Sequence, residues 1–351
     1  MLRLTQRTGE KKNIVTRWGE ITVLKSNRYL ADTHHGFGIS PYMQELMAYA
    51  GHLDSYAKSN EILEHFTQVQ VNQSQVYRVT ESVSESLKGE DDKAERKLKP
   101  LSKDDVLYIE IDGSMVCTRD VESWKEVKSG RLFRDADCLN PNTESAYLCD
   151  SQYVGHFGTC VDFCNKLKIQ IDSYGDLKNR LVFINDGAAW IREWIADNYP
   201  LAVSVLDFYH AMEYLYGFAE KAFPNAPLEK KQWCDCQKDL LLDSQVKTVI
   251  ENIEAVKVKK EEKKKITGYY QNNTHRMKYK EYRKIGCGII GSGAIEAAHR
   301  TVIQKRMKLS GQRWSIKGVK NMLRLQVISK NNQWGKVIDV LKHTPPIAKC
   351  A

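Results

Sequence analysis

The apolar pattern changes period near residue 105, and that change limits the folds open to the chain. Before it, apolar residues follow helical spacing: Leu46, Ala50 and Leu53, then Ile62, Leu63 and Phe66, then Val76, Val79 and Val83. After it come strand patterns. Residues 106–111 run into Asp112-Gly113, residues 124–128 and a stretch near 153–159 read as the next two strands, and 181–184 end in Asn185-Asp186-Gly187. A helix carrying Trp190, Ile191, Trp194 and Ile195 follows, and then a strand over 202–206 ending at Asp207. Strands followed by strand–helix–strand describe an α/β domain with a mixed sheet. Residues 211–285 read as mostly helical, and their basic run at 257–265 fits a solvated helix face or a contact to a DNA backbone.

The part before residue 105 begins with an alternating strand at 20–24. A break at 67–72 separates two short helices, and Asn72 or Ser74 can cap the second by accepting backbone N–H bonds. This arrangement fits a helix-turn-helix, whose second helix would offer Gln73, Gln75, Tyr77 and Arg78 to a major groove. It fits an ordinary helical hairpin as well. Residues 88–104 are charged and read as a linker.

Lys plus Arg number 53 against 44 Asp plus Glu, and the balance of +9 favours polyanions without proving nucleic-acid binding. No apolar run approaches the roughly 18 to 20 residues a membrane helix needs, and no apolar segment follows the basic start, so a cytoplasmic protein beside the nucleoid is expected. The nine cysteines include no CxxC pair, which argues against a zinc ribbon, and their spacing suggests no disulfide framework.

Two acids stand just past apolar strands, Asp112 and Asp186, each followed by glycine. In open α/β sheets ligands gather at strand ends. A third acid, Glu296, lies in Gly291-Ser292-Gly293-Ala294-Ile295-Glu296, where small residues suggest a turn opening a helix. Carboxylates brought together repel unless cations bridge them, and such hard oxygen ligands suit two Mg²⁺ or Mn²⁺ ions. Taken singly, an Asp-Gly after a strand is more often a plain turn, and spacing alone does not identify the triad.

From about Thr16 to Lys330 the chain resembles bacterial insertion-sequence transposases of the ISKra4 type, within the Mutator-like and IS256-like group of DDE transposases. The matching text is Thr16-Arg17-Trp18-Gly19-Glu20-Ile21, the helical stretch 39–83, Asp112-Gly113, Asn185-Asp186-Gly187-Ala188-Ala189-Trp190, Leu206-Asp207-Phe208-Tyr209-His210-Ala211, Arg276-Met277-Lys278-Tyr279 and the block from Gly291 to Ser315. The resemblance implies an RNase-H-like catalytic domain interrupted by an all-helical insertion. Asp112 would then sit on the first strand, Asp186 after the fourth, and Glu296 on the closing helix. It implies that Asp207 and His210 form a D-x-x-H signature supporting the site. Arg306, Lys308, Arg313 and Trp314 become candidates for DNA contact by charge and stacking, and Trp314 fits a place in the core equally well. Relatives often carry paired cysteines near the N-terminus; here residues 29–35 hold Tyr29-Leu30-Ala31-Asp32-Thr33-His34-His35 instead.

The expected division is a β segment at 1–35, a helical DNA-binding domain and linker at 36–104, and a catalytic core at 105–215. A helical insertion at 216–288, a closing core segment at 289–335 and a tail at 336–351 complete it. The expected activity is metal-dependent cleavage at transposon ends followed by strand transfer, with Asp112, Asp186 and Glu296 as both catalytic and metal-binding residues. The expected partners are the terminal inverted repeats, target DNA and further copies of the chain, because two ends must be synapsed. The alternatives are a domesticated DNA-binding regulator and a nuclease without strand transfer.

Overall fold

The computed structural model describes residues 10–16, 19–24, 36–90, 99–141, 147–177 and 179–343. The 29–35 stretch lies outside these residues, as do Arg17 and Trp18, residues 91–98 of the expected linker and 344–351 of the expected tail. The elements in chain order are β1 (Lys11–Thr16), β2 (Gly19–Leu24), α1 (Pro41–Leu53), α2 (Tyr56–Thr67), α3 (Gln73–Ser86), β3 (Leu107–Cys117) and β4 (Trp124–Arg134). Next come β5 (Cys138–Leu139), β6 (Tyr147–Leu148), β7 (Gln152–His156), α4 (Cys160–Asp172), β8 (Leu181–Asn185), α5 (Ala189–Asn198) and β9 (Val203–Leu206). Then follow α6 (Phe208–Ala222), α7 (Pro227–Leu242), α8 (Val246–Ala255), α9 (Lys260–Asn273) and α10 (Tyr279–Tyr282). The chain closes with α11 (Gly293–Ala298), a π-helical turn (His299–Gln304), α12 (Lys305–Met307), α13 (Ile316–Lys330) and α14 (Gly335–His343).

Two compact units divide the chain: Met1–Lys93 with Val116–Lys125 and Thr301–Ala351, and Ala94–Met115 with Glu126–Arg300. The division differs from the sequence boundaries, because the segment after Arg300 belongs with the N-terminal helices. Leu325, Ile328, Val337 and Leu341 of α13 and α14 share a core with Met47, Leu63, Val76, Val79 and Val83. The expected tail at 336–351 therefore begins inside a helix.

In this helical unit each early helix has a polar start. Ser40, Ser55 and Asn72 accept the Met43, Lys58 and Gln75 N–H groups, satisfying donors that a helix leaves unpaired. Asn72 thus caps α3 as the sequence suggested. The hydrophobic reading of α2 was too generous: Leu63 is buried, but Phe66 is 72% exposed, since Ser59 and Leu63 are the residues that reach the core. The expected strand at 20–24 is β2, and it pairs antiparallel with β1, which the sequence reading missed.

The second unit is built on a five-stranded mixed sheet ordered β7-β4-β3-β8-β9. β3, β8 and β9 run parallel, and β4 pairs antiparallel with β7. Alternate side chains of β3 go to opposite faces. Leu107, Ile109 and Ile111 join Phe183 and residues of α4 and α5 in one core. Tyr108 joins Ile184, α6 and the helices α7–α10 in the other. The sheet is therefore covered on both faces, and its parallel strands are accordingly rich in apolar residues. One expectation needs correcting. Asp112 is not past the end of its strand, because β3 continues to Cys117. Asp112-Gly113 is mid-strand backbone rather than a turn.

Candidate active site

Strand register sets three aspartates in a row. Ile111 pairs with Asn185, and Asn185 pairs with Leu206. One residue further along each strand stand Asp112, Asp186 and Asp207. Neighbouring strands lie about 4.8 Å apart, so the row is close enough for its charges to interact. Burial pushes the Asp112 carboxyl up to about 6; the Gly113 N–H and His210 oppose that shift, and Asp186 and Asp207 add to it.

The three have different surroundings. Asp186 is half-buried, and its Oδ1 accepts the Ala188 N–H at the start of α5. The chain turns sharply there: Gly187 has φ +92, and a Cβ would stand 2.9 Å from Leu206. Asp207 is buried and fully engaged. It caps α6 through Tyr209 N–H and takes both the N–H and the hydroxyl of Ser292, the latter at 2.6 Å. These bonds make it a structural tie between β9 and the turn before α11. His210 is half-buried, with Nδ1 3.3 Å from Glu213 Oε2.

That turn brings in Glu296. Gly291 passes so close to the Tyr209 ring that any Cβ would collide with it, which accounts for the glycine at that position. Glu296 lies in the first turn of α11, exposed, and its Oε1 is 3.3 Å from the Ser292 hydroxyl. The Ser292 hydroxyl therefore touches both Glu296 and Asp207. Farther along, His299 is buried with Nδ1 3.4 Å from Asp112 Oδ2.

Three participants escaped the sequence reading. Glu110 is wholly buried two residues before Asp112, and its Oε2 accepts the Ile295 N–H at 2.6 Å. Burial pushes its carboxyl up to about 8. Arg276 is also wholly buried; its guanidinium donates to Asn185 Oδ1, Ser204 Oγ and Asn273 Oδ1, fastening the helical insertion to the strand ends beside Asp186. His299 is the third. The available signal for Glu110 was its place on the same strand face as Asp112 in an otherwise apolar strand.

The DNA-contact candidates separate by exposure. Gln73, Tyr77, Arg78, Lys308 and Arg313 are exposed, and Gln75 is half-buried. Arg306 and Trp314 are not available to DNA. Arg306 is 1% exposed, donates to Gly51 O at 2.8 Å, and lies 4.7 Å from the Tyr56 ring centroid and 5.0 Å from that of Trp314. Trp314 is 5% exposed, and its indole N–H donates to Met307 O. Their charge and ring area are spent inside the helical unit.

Among the described residues, no three His, Cys, Asp or Glu side chains stand close enough as they are to hold a metal ion. No helix among them is long and apolar enough to cross a membrane. The eight described cysteines are all free thiols. Among curated proteins none matches the chain. A protein-family model does match it over residues 9–342, and the chain therefore belongs to the uncharacterised protein family UPF0236.

Proposed function

We propose that this protein is a DNA transposase of the DDE type, cutting at transposon ends and joining them to target DNA on an RNase-H-like frame. The observation that carries the reading is the placement of three acids in the chain's order. Asp112 lies on the first strand of the sheet, Asp186 directly after the fourth, and Glu296 on a helix reached only after a helical insertion. That is the order the resemblance implied.

The donor chemistry fits divalent metal. The carboxylates of Asp112, Asp186 and Glu296 are hard oxygen donors, and burial, with Asp186 and Asp207 adding to it, opposes the ionisation of Asp112. These three residues would hold Mg²⁺ or Mn²⁺, which supplies an activated water and charge stabilisation at the reacting phosphate. Water attacks the phosphorus at the element's end, the P–O3′ bond breaks, and a 3′-hydroxyl and a 5′-phosphate result. The freed 3′-oxygen then attacks a target phosphorus in line, forming one phosphodiester while the target's own P–O3′ bond breaks. The chain's part is positioning: Ala188 N–H orients Asp186, His299 lies against Asp112, and the Ser292 hydroxyl connects Glu296 to Asp207. Exposed Gln73, Tyr77, Arg78, Lys308 and Arg313 are the candidates for gripping DNA.

The test is a cleavage and joining assay with the element's own flanking repeats and Mg²⁺. Cut and joined products that vanish with Asp186→Ala support the proposal. Unimpaired cutting by that variant sinks it, and cutting without joined products reduces the protein to a nuclease.

A further inference from the structure

α11 lies along β3 with matching spacing. Ile295 N–H meets Glu110, and four residues later His299 meets Asp112, two residues beyond Glu110. Four helical residues rise about 6 Å and two strand residues about 6.6 Å, so both contacts hold at once. Glu110 and Asp112 share the face of β3 on which α11 rests.

The N-cap chemistry explains why a carboxyl is buried there. Ser292 occupies the N-cap of α11, yet its side chain makes no capping bond. Its hydroxyl donates to Asp207 Oδ2 at 2.6 Å and stands 3.3 Å from Glu296 Oε1. The third residue of the helix, Ile295, would ordinarily give its N–H to the capping side chain. Here Glu110 accepts it from the neighbouring strand. A buried carboxyl is costly where an apolar side chain would fill the same space, and Glu110 has its second oxygen without a hydrogen-bond partner. Arg131 adds a further tie, donating to Ala294 O at 2.6 Å.

We infer that Glu110 is a positioning residue that caps α11 from β3, and that with the His299–Asp112 contact it sets where the Glu296 carboxylate stands. The inference rests on the reading of Glu296 as part of a cleavage site. Glu110 touches no substrate; it acts through the helix.

The test uses the full chain, supercoiled plasmid as the DNA and Mn²⁺ as the probe ion. Nicking kinetics are measured together with Mn²⁺ binding followed by electron paramagnetic resonance and with thermal melting. Glu110→Ala is expected to lower kcat by about 100-fold, the scale of an ångström-level misplacement, with KM for DNA unchanged. It is also expected to weaken Mn²⁺ binding as Glu296→Ala does, and the double variant is expected to bind no more weakly than Glu296→Ala. Glu110→Gln, whose amide oxygen still accepts the Ile295 N–H, is expected to recover most of the loss. Wild-type kcat and Mn²⁺ binding in Glu110→Ala overturn the inference, as does an equal loss in Glu110→Gln or an additive loss in the double variant. If Glu110→Ala does not fold, His299→Ala carries the kinetic test, and an unchanged kcat there overturns it. Failure of the parent reading is separate: then wild type nicks no DNA with any divalent ion, or Asp186→Ala nicks as well as wild type, and the positioning role falls with it.

Discussion

The two compact units bury charge and polarity in opposite ways. In the helical unit, buried His52 and Arg306 are enclosed by hydrogen-bond partners and aromatic rings. His52 lies between Tyr49 O and the Ser329 hydroxyl and stacks on Trp334, while Arg306 lies between two aromatic rings. In the sheet unit, Asp112, Asp186 and Asp207 stand in a row, with the buried Glu110 next to them. Burial marks both units equally. A row of carboxylates is what the sheet unit shows, and that is a feature expected where a cation is to be held.

The largest effect that would break this contrast is Asp186→Ala. Cleavage is expected to fall by about 1000-fold, roughly 4 kcal/mol of barrier, while the melting transition of the helical unit is unchanged. Loss of both in a combined cleavage and unfolding experiment would show that the units are not chemically distinct. Next is Arg306→Ala, which is expected to cost about 3 kcal/mol of stability by leaving a buried aromatic slot empty. Its salt dependence of DNA binding is expected to match wild type in a fluorescence titration. A flatter salt slope would return Arg306 to the DNA surface.

Acidity sharpens the comparison, because the two units are expected to respond with opposite sign. His52 is held down to about 4 by burial, with Arg306 and Lys330 nearby adding to the effect against two backbone carbonyls. The unfolded chain therefore takes the proton first, and the helical unit loses stability as pH falls from about 6.5 towards 4. Glu110 is pushed up to about 8 by burial, with Asp207 and Glu296 adding and Arg131 and the Ile295 N–H opposing. The folded chain keeps that proton longer, so the sheet unit loses stability as pH rises from about 4.5 towards 8. Each slope is at most about 1.4 kcal/mol per pH unit. Hydrogen exchange in metal-free buffer at pH 5 and pH 8 reads the two units separately, and parallel trends would refute the contrast. The smallest expected effect is at the exposed cations. Lys308→Ala and Arg313→Ala should each weaken DNA binding equally across sequences and lower the salt slope by about 1.

Much of the sheet was legible because apolar runs and following acids are local signals. Asp186 after 181–184 and Asp207 at the start of α6 could be read directly. Asp112 was found, but its place mid-strand was not, because an Asp-Gly pair looks like a turn whether or not pairing continues through it. Glu110 was passed over since a polar residue at an alternating strand position normally faces water; only the docking of α11 reveals that this face is covered. Arg306 illustrates the reverse error. Its charge suggested a DNA contact, but it is buried against Gly51 and Tyr56, more than two hundred residues earlier in the chain. Arg276 stood in the text that carried the resemblance, yet its work on Asn185 requires knowing where the insertion folds back.

The helical unit is assembled from separated lengths of chain, with α13 and α14 completing the core begun by α1 and α3. During synthesis the first three helices leave the ribosome long before their packing partners exist, so Met47, Val76 and Val83 wait with an unfinished apolar face until the last helices emerge. A fragment made of the N-terminal helices alone should consequently aggregate rather than act as a portable DNA-binding module, and a premature stop before α13 should disable the beginning of the protein as surely as its end.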